Sequence, residues 1–170
     1  MSPRAVRPVT VAIQRAASAR GVPPAPKLRQ WVQSALALAA PDRRGELTIR
    51  IVDPAESAGL NARYRGKPGP TNVLSFPADC AEVPSPESLP VGDIVICAGV
   101  VATEAQEQGK TLEAHWAHMV VHGALHLVGY DHENARDARI MESLERKLLT
   151  ALGFPDPWLA RRPIGLQDTK

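Results

Sequence analysis

The sequence is poor in several residue types, and each shortage excludes a class of protein. Aromatic residues make up only 4% of the 170 positions, so the core must be mainly aliphatic. The two cysteines, Cys80 and Cys97, are too few and too far apart for a disulfide framework or a CxxC site, which fits a reducing compartment such as the cytoplasm. The apolar run near the start, Ala35–Ala40, is far shorter than the ~20 residues of a membrane span, so we expect no membrane partner.

Acidic residues are missing from the first 30 positions, although the whole chain has a formal net charge of only +2. The basic residues in that stretch are Arg4, Arg7, Arg15, Arg20, Lys27 and Arg29. Such an asymmetry is compatible with an edge that faces nucleic acid, although charge alone favours a solvated basic arm. Contact of this segment with RNA or the ribosome is therefore a hypothesis.

The residues that are present predict one globular domain. Hydrophobic residues make up 44% and charged residues 22%, as in ordinary folded proteins. We predict a single domain over residues 1–170, with flexible tails at 1–8 and 160–170 and an exposed proline-rich loop at 77–90. Periodicity and helix-end signals predict four strands near Val9–Ile13, Leu47–Ile51, Val73–Phe76 and Val91–Cys97, and five helices near Lys27–Ala40, Pro54–Tyr64, Ala98–Gln108, Leu112–Val128 and Ala135–Leu152.

The order of these elements predicts the fold class. Strands and helices are mixed without a regular alternation, which favours an α+β fold with one small mixed sheet packed against helices. For the last helix we predict an inner stripe made of Ile140, Met141, Leu144, Leu148 and Leu152.

Histidines are the most informative feature of the sequence, because all of them fall within one short segment. They are His115, His118, His122, His126 and His132. At 100° per residue, the first four lie on one stripe of a helix, about 80° wide. A lone helical histidine is usually a structural residue, but this clustering favours a metal site.

Helix geometry selects three of these histidines as metal ligands. Two nitrogens bound to one zinc ion lie roughly 3.3 Å apart, since each Zn–N bond is about 2.1 Å. Residues i and i+4 can converge in this way, whereas i and i+8 are about 12 Å apart along the helix. His122 and His126 therefore need a third ligand from beyond a turn, and Gly129 followed by His132 provides one.

The resulting pattern H-x3-H-x2-G-x2-H matches the ligands and the glycine of metzincin zinc proteases. Those proteases have a glutamate general base directly after the first histidine, where this chain has Gly123. The metal half of the motif is present and the proteolytic half is missing. An open fourth position would make the site catalytic, while a fourth protein ligand would make it structural.

Neighbouring side chains are candidates for supporting roles. Asp131 either orients a ligating imidazole or acts as a turn residue. For His118 we predict support of the metal site or a buried hydrogen bond, and for His115 no role. In a second segment, Arg63, Arg65 and Lys67 follow one another at the end of a predicted helix. Arginine can bind phosphate in a bidentate way, but cations at this place also simply interact with the helix dipole.

Four segments together resemble the YbeY family of bacterial zinc-dependent endoribonucleases. They are HGALHLVGYDH (His122–His132), NARYRGKPGPTNVLSFP (Asn61–Pro77), GDIVIC (Gly92–Cys97) and EAHWAHMVVHG (Glu113–Gly123). The resemblance extends over roughly residues 9–158. The chain departs from the family at Pro68, where family members commonly have an aspartate.

The resemblance implies a fold, a site and partners. The family fold is a mixed four-stranded sheet with helices, distantly zincin-like. His122, His126 and His132 correspond to the ligands of one zinc ion per chain, and Arg65 to the functional arginine. Family members cut single-stranded RNA in 3′-end maturation of small-subunit ribosomal RNA and in ribosome quality control. Their partners are the small ribosomal subunit, ribosomal proteins and a ribosome-assembly GTPase.

Three functions remain open on the residues alone. The first is a metal-dependent endoribonuclease whose nucleophile is either water or the RNA 2′-hydroxyl. The second is a metallopeptidase, against which Gly123 argues. The third is a non-enzymatic assembly factor that zinc stabilises and that binds the ribosome.

Overall fold

The computed structural model describes residues 9–18, 20–78 and 90–159. The predicted tails, Cys80 and most of the predicted proline-rich loop lie outside these ranges. Within them, strands and helices follow one another in this order: β1 (Thr10–Arg15), α1 (Ala25–Ala39), β2 (Glu46–Val52), α2 (Pro54–Arg65), β3 (Val73–Pro77), β4 (Gly92–Cys97), α3 (Ala98–Glu107), α4 (Leu112–Leu127) and α5 (Ala135–Ala151).

The strands form one mixed sheet in the order β1-β2-β4-β3. β1 pairs with β2 and β2 with β4 in parallel, whereas β3 is antiparallel to β4 and forms an edge. The prediction of an α+β fold with a four-stranded mixed sheet and five helices is confirmed for the described residues.

Apolar side chains cover both faces of the sheet. Alternation along β4 sends Ile94 and Ile96 into the main core, which α1, α4 and α5 complete. Val95 and Cys97 point to the opposite face, where a smaller cluster includes Leu60 of α2. Burial of β4 on both faces explains why its sequence is continuously apolar.

Local signals explain where α2 begins and ends. The Asp53 side chain accepts a hydrogen bond from the Glu56 backbone N–H at 2.8 Å, and Pro54 occupies the first turn. Gly66 ends the helix in the left-handed conformation, at a φ of 65°. This end brings Arg63 and Arg65 to the last turn of the helix.

Two details differ from the sequence prediction. α1 begins at Ala25, two residues before the predicted start, because Pro26 fits the first turn of a helix. In α5, Ile140 is 45% exposed, while Met141, Leu148 and Leu149 are buried. The inner stripe of α5 is therefore rotated away from Ile140, and its central position is occupied by Glu145, which is 1% exposed.

In the described part of the chain, none of the helices combines the length and the apolar character that crossing a bilayer requires.

Candidate metal centre and adjoining cleft

Helix α4 and the turn after it bring three histidines together. His122 and His126 are one helical turn apart on α4, and their Nε2 atoms are 3.1 Å from each other. Gly129 has a φ of 101°, and the Tyr130 N–H donates to the Leu125 carbonyl at 3.1 Å, which closes the helix and turns the chain back. His132 then faces the helical pair, with its ring centroid 4.9 Å from that of His126.

The three imidazoles could hold one metal ion. One ring nitrogen from each of His122, His126 and His132 lies within 4.8 Å of the others. The 3.1 Å between the two helical nitrogens is close to the ~3.3 Å that a tetrahedral zinc ion requires. Imidazole nitrogens suit a borderline ion such as zinc better than magnesium. The donor set therefore fits the predicted metal.

A buried carboxylate beneath the triad is the main feature that the sequence reasoning missed. Oε1 of Glu145 lies 2.6 Å from Nδ1 of His122, and its Oε2 lies 2.9 Å from Nε2 of His118. A signal for it exists in the sequence, because an acidic residue interrupts the apolar stripe of α5 between Met141 and Leu149. His118 makes the buried hydrogen bond that we predicted as one of its two roles.

The ionised carboxylate of Glu145 determines which ring nitrogen of His122 carries the proton. Burial raises the pKa of this carboxyl, but the hydrogen bonds from His118 and His122 outweigh that effect and lower the pKa to about 2. An ionised carboxylate has no proton to donate, so Nδ1 of His122 must be the donor. In the neutral imidazole this leaves the lone pair on Nε2, the atom that faces the triad.

The helical neighbour His126 is held neutral. Its pKa is lowered from 6.5 to about 4, first by burial and then by the charges of His122 and His132. The Asp131 charge and a backbone hydrogen bond at Tyr130 act in the opposite direction with less effect. A neutral imidazole is the form that binds a metal ion.

Asp131 and His115 are placed in other roles. The Asp131 carboxylate accepts the backbone N–H of His132 at 2.7 Å, while its distance to Nδ1 of His132 is 3.7 Å. The shorter of these two contacts is the one that a turn residue makes. His115 is 2% exposed and bonds to Glu104, which also accepts from the side chain of Asn72, so it helps to tie α3 and α4 to the start of β3.

Gly123 lies where α4 packs against Ile94 of β4. A Cβ atom at this position would come within 2.8 Å of the Cγ2 atom of Ile94 on β4. A larger side chain would therefore meet the sheet. The position that carries the general base in metzincins has no room here for a glutamate.

The triad opens on a cleft of about 810 Å³. One wall is formed by the histidines and the turn around Gly129, and the other by Tyr64 and Arg65 at the end of α2. The edge strand β3 runs between them: its Ser75 hydroxyl donates to the Gly123 carbonyl at 3.2 Å, and Phe76 contacts Tyr64 from the opposite face of the sheet.

The three predicted cations are exposed to solvent, but only Arg65 is among the residues that line the cleft. Arg65 lines the cleft, and no acidic side chain among the described residues pairs with it. The Arg63 guanidinium lies 5.2 Å from the centre of the Tyr64 ring. Lys67 lies in the loop that follows α2. Cys97 does not join the triad, since it is buried on the opposite face of β4.

Comparisons with known proteins show which proteins this chain is similar to. The sequence model of a family described as "Endoribonuclease YbeY" matches residues 13–153. A protein of Stenotrophomonas maltophilia strain R551-3 named Endoribonuclease YbeY is 52% identical over 154 residues, which cover 89% of this chain and 94% of that protein. A protein of the same name from Halorhodospira halophila is 51% identical over 152 residues, covering 89% and 97%.

A solved structure shows a similar fold. The solution structure of TM1509 from Thermotoga maritima matches with a TM-score of 0.54 and 23% identity. The match covers 93% of this chain and 99% of that protein.

Proposed function

The chain belongs to the YbeY endoribonuclease family, whose members are hydrolases that act on RNA, and on this premise we propose that it is a zinc-dependent endoribonuclease specific for single strands. Its substrate is the 3′ region of small-subunit ribosomal RNA, which it matures in the cytoplasm, and it takes part in ribosome quality control. The partners are the small ribosomal subunit, its proteins and an assembly GTPase, as the family resemblance implies.

One observation carries this proposal: the histidine triad lines the same cleft as Arg65, which has no ion-pair partner among the described residues. Cleavage of a phosphodiester is accelerated by a Lewis acid at the phosphate and by a positive charge that stabilises the transition state. The triad could provide the first by holding a metal ion, and Arg65 provides the second.

Each side chain then has a task. His122, His126 and His132 hold one zinc ion, which when bound supplies Lewis acidity toward a phosphoryl oxygen. Arg65 binds the scissile phosphate through its planar guanidinium and stabilises the charge that develops there. Arg63 and Lys67 bind neighbouring phosphates of the RNA, while His118 and Glu145 hold His122 in its orientation.

The other two functions have less support. A zincin peptidase needs a general base at position 123, and the packing of Gly123 on Ile94 leaves no space for one. A purely structural zinc site usually has four protein ligands, whereas three histidines converge here within the described residues. Neither alternative gains support from the relatives, which are named endoribonucleases.

The test measures metal content and RNA cleavage on the same preparations. Wild type is compared with His126→Ala, Arg65→Glu and the control Arg139→Glu, which changes an exposed arginine of α5 that does not line the cleft. We expect about one zinc per chain and cleavage in wild type and in the control. His126→Ala should lose both, and Arg65→Glu should keep the metal and lose cleavage.

Two outcomes would contradict the proposal. Equal cleavage by all four proteins, at equal thermal stability, would identify the activity as a contaminant. Zinc binding without any cleavage by wild type would favour the assembly factor. The product ends identify the nucleophile, because a 2′,3′-cyclic phosphate arises from attack by the 2′-hydroxyl and not from direct attack by water.

A further inference from the structure

Tyr64 is the most exposed of the large hydrophobic side chains in the described residues. It is 56% exposed, although it stands in the last turn of α2 with ordered neighbours. Burial of a ring of this size would stabilise the fold, so its position in solvent has no advantage for folding.

Two neighbours hold the Tyr64 ring in place. Phe76 packs edge to face against it, with ring centroids 5.0 Å apart and an angle of 67°. Phe76 itself packs on the small apolar cluster formed by Val52, Leu74, Val95 and Cys97. The Arg63 guanidinium lies 5.2 Å from the Tyr64 ring centre. The ring is thus fixed in orientation while more than half of its surface faces solvent.

The surroundings of Tyr64 match the chemistry of a nucleotide. Tyr64 and Phe76 line the same cleft as the histidine triad, and Arg65, without an acidic partner among the described residues, is adjacent in sequence. A flat ring next to an available guanidinium complements a ligand that carries a flat base next to a phosphate. A peptide added to the β3 edge would use backbone hydrogen bonds and has no need for the ring.

We propose that Tyr64, supported by Phe76, is a stacking platform for a base of single-stranded RNA next to the phosphate that Arg65 binds. This proposal rests on the proposed function and adds a binding site to it. A base in a duplex has both faces covered by its neighbours, so it can stack on Tyr64 only after it leaves the helix. Tyr64 therefore contributes to the preference for single strands.

The test is equilibrium binding of a short, unstructured RNA with 2′-O-methyl groups, which block attack by the 2′-hydroxyl, measured by fluorescence anisotropy. EDTA-treated protein excludes metal-dependent cleavage. Tyr64→Ala should weaken binding roughly 5- to 150-fold, the range that corresponds to loss of one base–aromatic stack. Tyr64→Phe should bind like wild type, and Tyr64→Leu, which keeps the apolar surface without the aromatic face, should bind like Tyr64→Ala. Leu38→Ala, at another exposed apolar side chain, is the matched control.

Further readouts separate stacking from charge and from misfolding. Tyr64→Ala removes no charge, so its affinity should fall with salt at the same slope as wild type, whereas Arg65→Ala should lower that slope by roughly 0.7. An abasic nucleotide at the stacked position should weaken binding to wild type but not to Tyr64→Ala. Thermal midpoints and zinc content should stay unchanged in Tyr64→Ala.

Different results would contradict the stacking platform and the proposed endoribonuclease function. Wild-type affinity in Tyr64→Ala, together with normal cleavage, would overturn the platform and leave the endoribonuclease standing. If Tyr64→Ala loses equal affinity for duplex and single-stranded RNA, the platform is also overturned. The same holds if a peptide competes with RNA while Tyr64→Ala leaves RNA binding unchanged. Absence of RNA cleavage by zinc-loaded wild type contradicts the proposed function instead.

Discussion

Glu145 determines the orientation of the His122 ring and which of its nitrogens carries the proton. Its two carboxylate oxygens reach two imidazoles of α4, at 2.6 Å and 2.9 Å, and the residue is 1% exposed. Because the carboxylate is ionised, it keeps the proton of His122 on Nδ1 and the lone pair on Nε2. A partner of this kind fixes the ring orientation and increases the basicity of the ligand.

The exchange Glu145→Gln should therefore weaken zinc binding by about 10- to 100-fold. The amide can still accept a hydrogen bond from one histidine, but its NH₂ group cannot accept one from the other. Competition with a chromophoric chelator measures the affinity. Glu104→Gln is the matched control, because Glu104 also bonds to a histidine of α4, namely His115, which lies outside the triad. Equal zinc affinity in Glu145→Gln and Glu104→Gln would show that Glu145 does not orient a zinc ligand.

The three histidines of the triad could be predicted from the sequence, whereas the contact through which the Glu145 carboxylate orients His122 could not. The spacing of His122 and His126, followed by Gly129, is a local signal, and local geometry is enough to expect a third ligand at His132. Glu145 bonds to residues 23 and 27 positions earlier, so its partners depend on how α5 packs on α4. The same packing explains the error at Ile140: periodicity defines a broad apolar face, and only the neighbouring helix decides which part of it is central.

At the scale of elements, α4 sets the position of two ligands through its distance from the sheet. Gly123 allows that distance, since any Cβ there would come within 2.8 Å of Ile94. Ser75 of β3 also donates to the Gly123 carbonyl, which fixes the helix along the edge strand. His122 is the adjacent residue, so a displacement of α4 at this point is transmitted directly to the triad.

Gly123→Ala should thus destabilise the protein by about 1–3 kcal/mol, because the clash with the sheet outweighs the better helix propensity of alanine. It should also weaken zinc binding. Urea unfolding of the metal-free protein measures the first effect. Gly59→Ala is the control: this helical glycine of α2 has nothing within 4 Å of an added Cβ, so alanine should stabilise the protein by up to ~1 kcal/mol. Stabilisation by Gly123→Ala as well would contradict the packing argument.

Elements were predicted from the sequence with small errors at their ends, for identifiable reasons. Asp53, Pro54 and Gly66 define α2 through interactions within a few residues of each other. Local signals in the sequence do not predict that the end of α2 lies across β3 from the triad. It depends on β3 being the antiparallel edge of the sheet, a pairing with β4 that no local signal specifies.

For the molecule as a whole, the buried ionisable groups predict loss of stability in acid. His126 has a folded-state pKa of about 4 against 6.5 ordinarily, and Glu145 one of about 2 against 4.5. In both cases the unfolded chain takes up the proton first as the pH falls. The contribution of His126 is therefore complete above pH 6.5 and decreases toward pH 4, and that of Glu145 is complete above pH 4.5 and decreases toward pH 2.

The metal-free protein should accordingly require less urea for half-unfolding at each step from pH 7 to pH 3. Glu145→Gln should flatten the dependence below pH 4.5 and leave the window between pH 6.5 and pH 4.5 in place. His126→Gln should reduce the dependence in that upper window, where His115, whose pKa is also lowered by burial, continues to contribute. A urea midpoint that is constant or rises as the pH falls from 6.5 to 4 would contradict the neutral state assigned to His126.

The place of Glu145 in α5 also orders events during synthesis of the chain. A ribosome makes the three imidazoles of the triad before it makes the carboxylate that orients one of them. The nascent polypeptide therefore carries its three nitrogen donors for some time without the group that directs the His122 lone pair toward them. The complete arrangement exists only after α5 has been translated and has docked on α4, so the triad is oriented later than its own three residues are made.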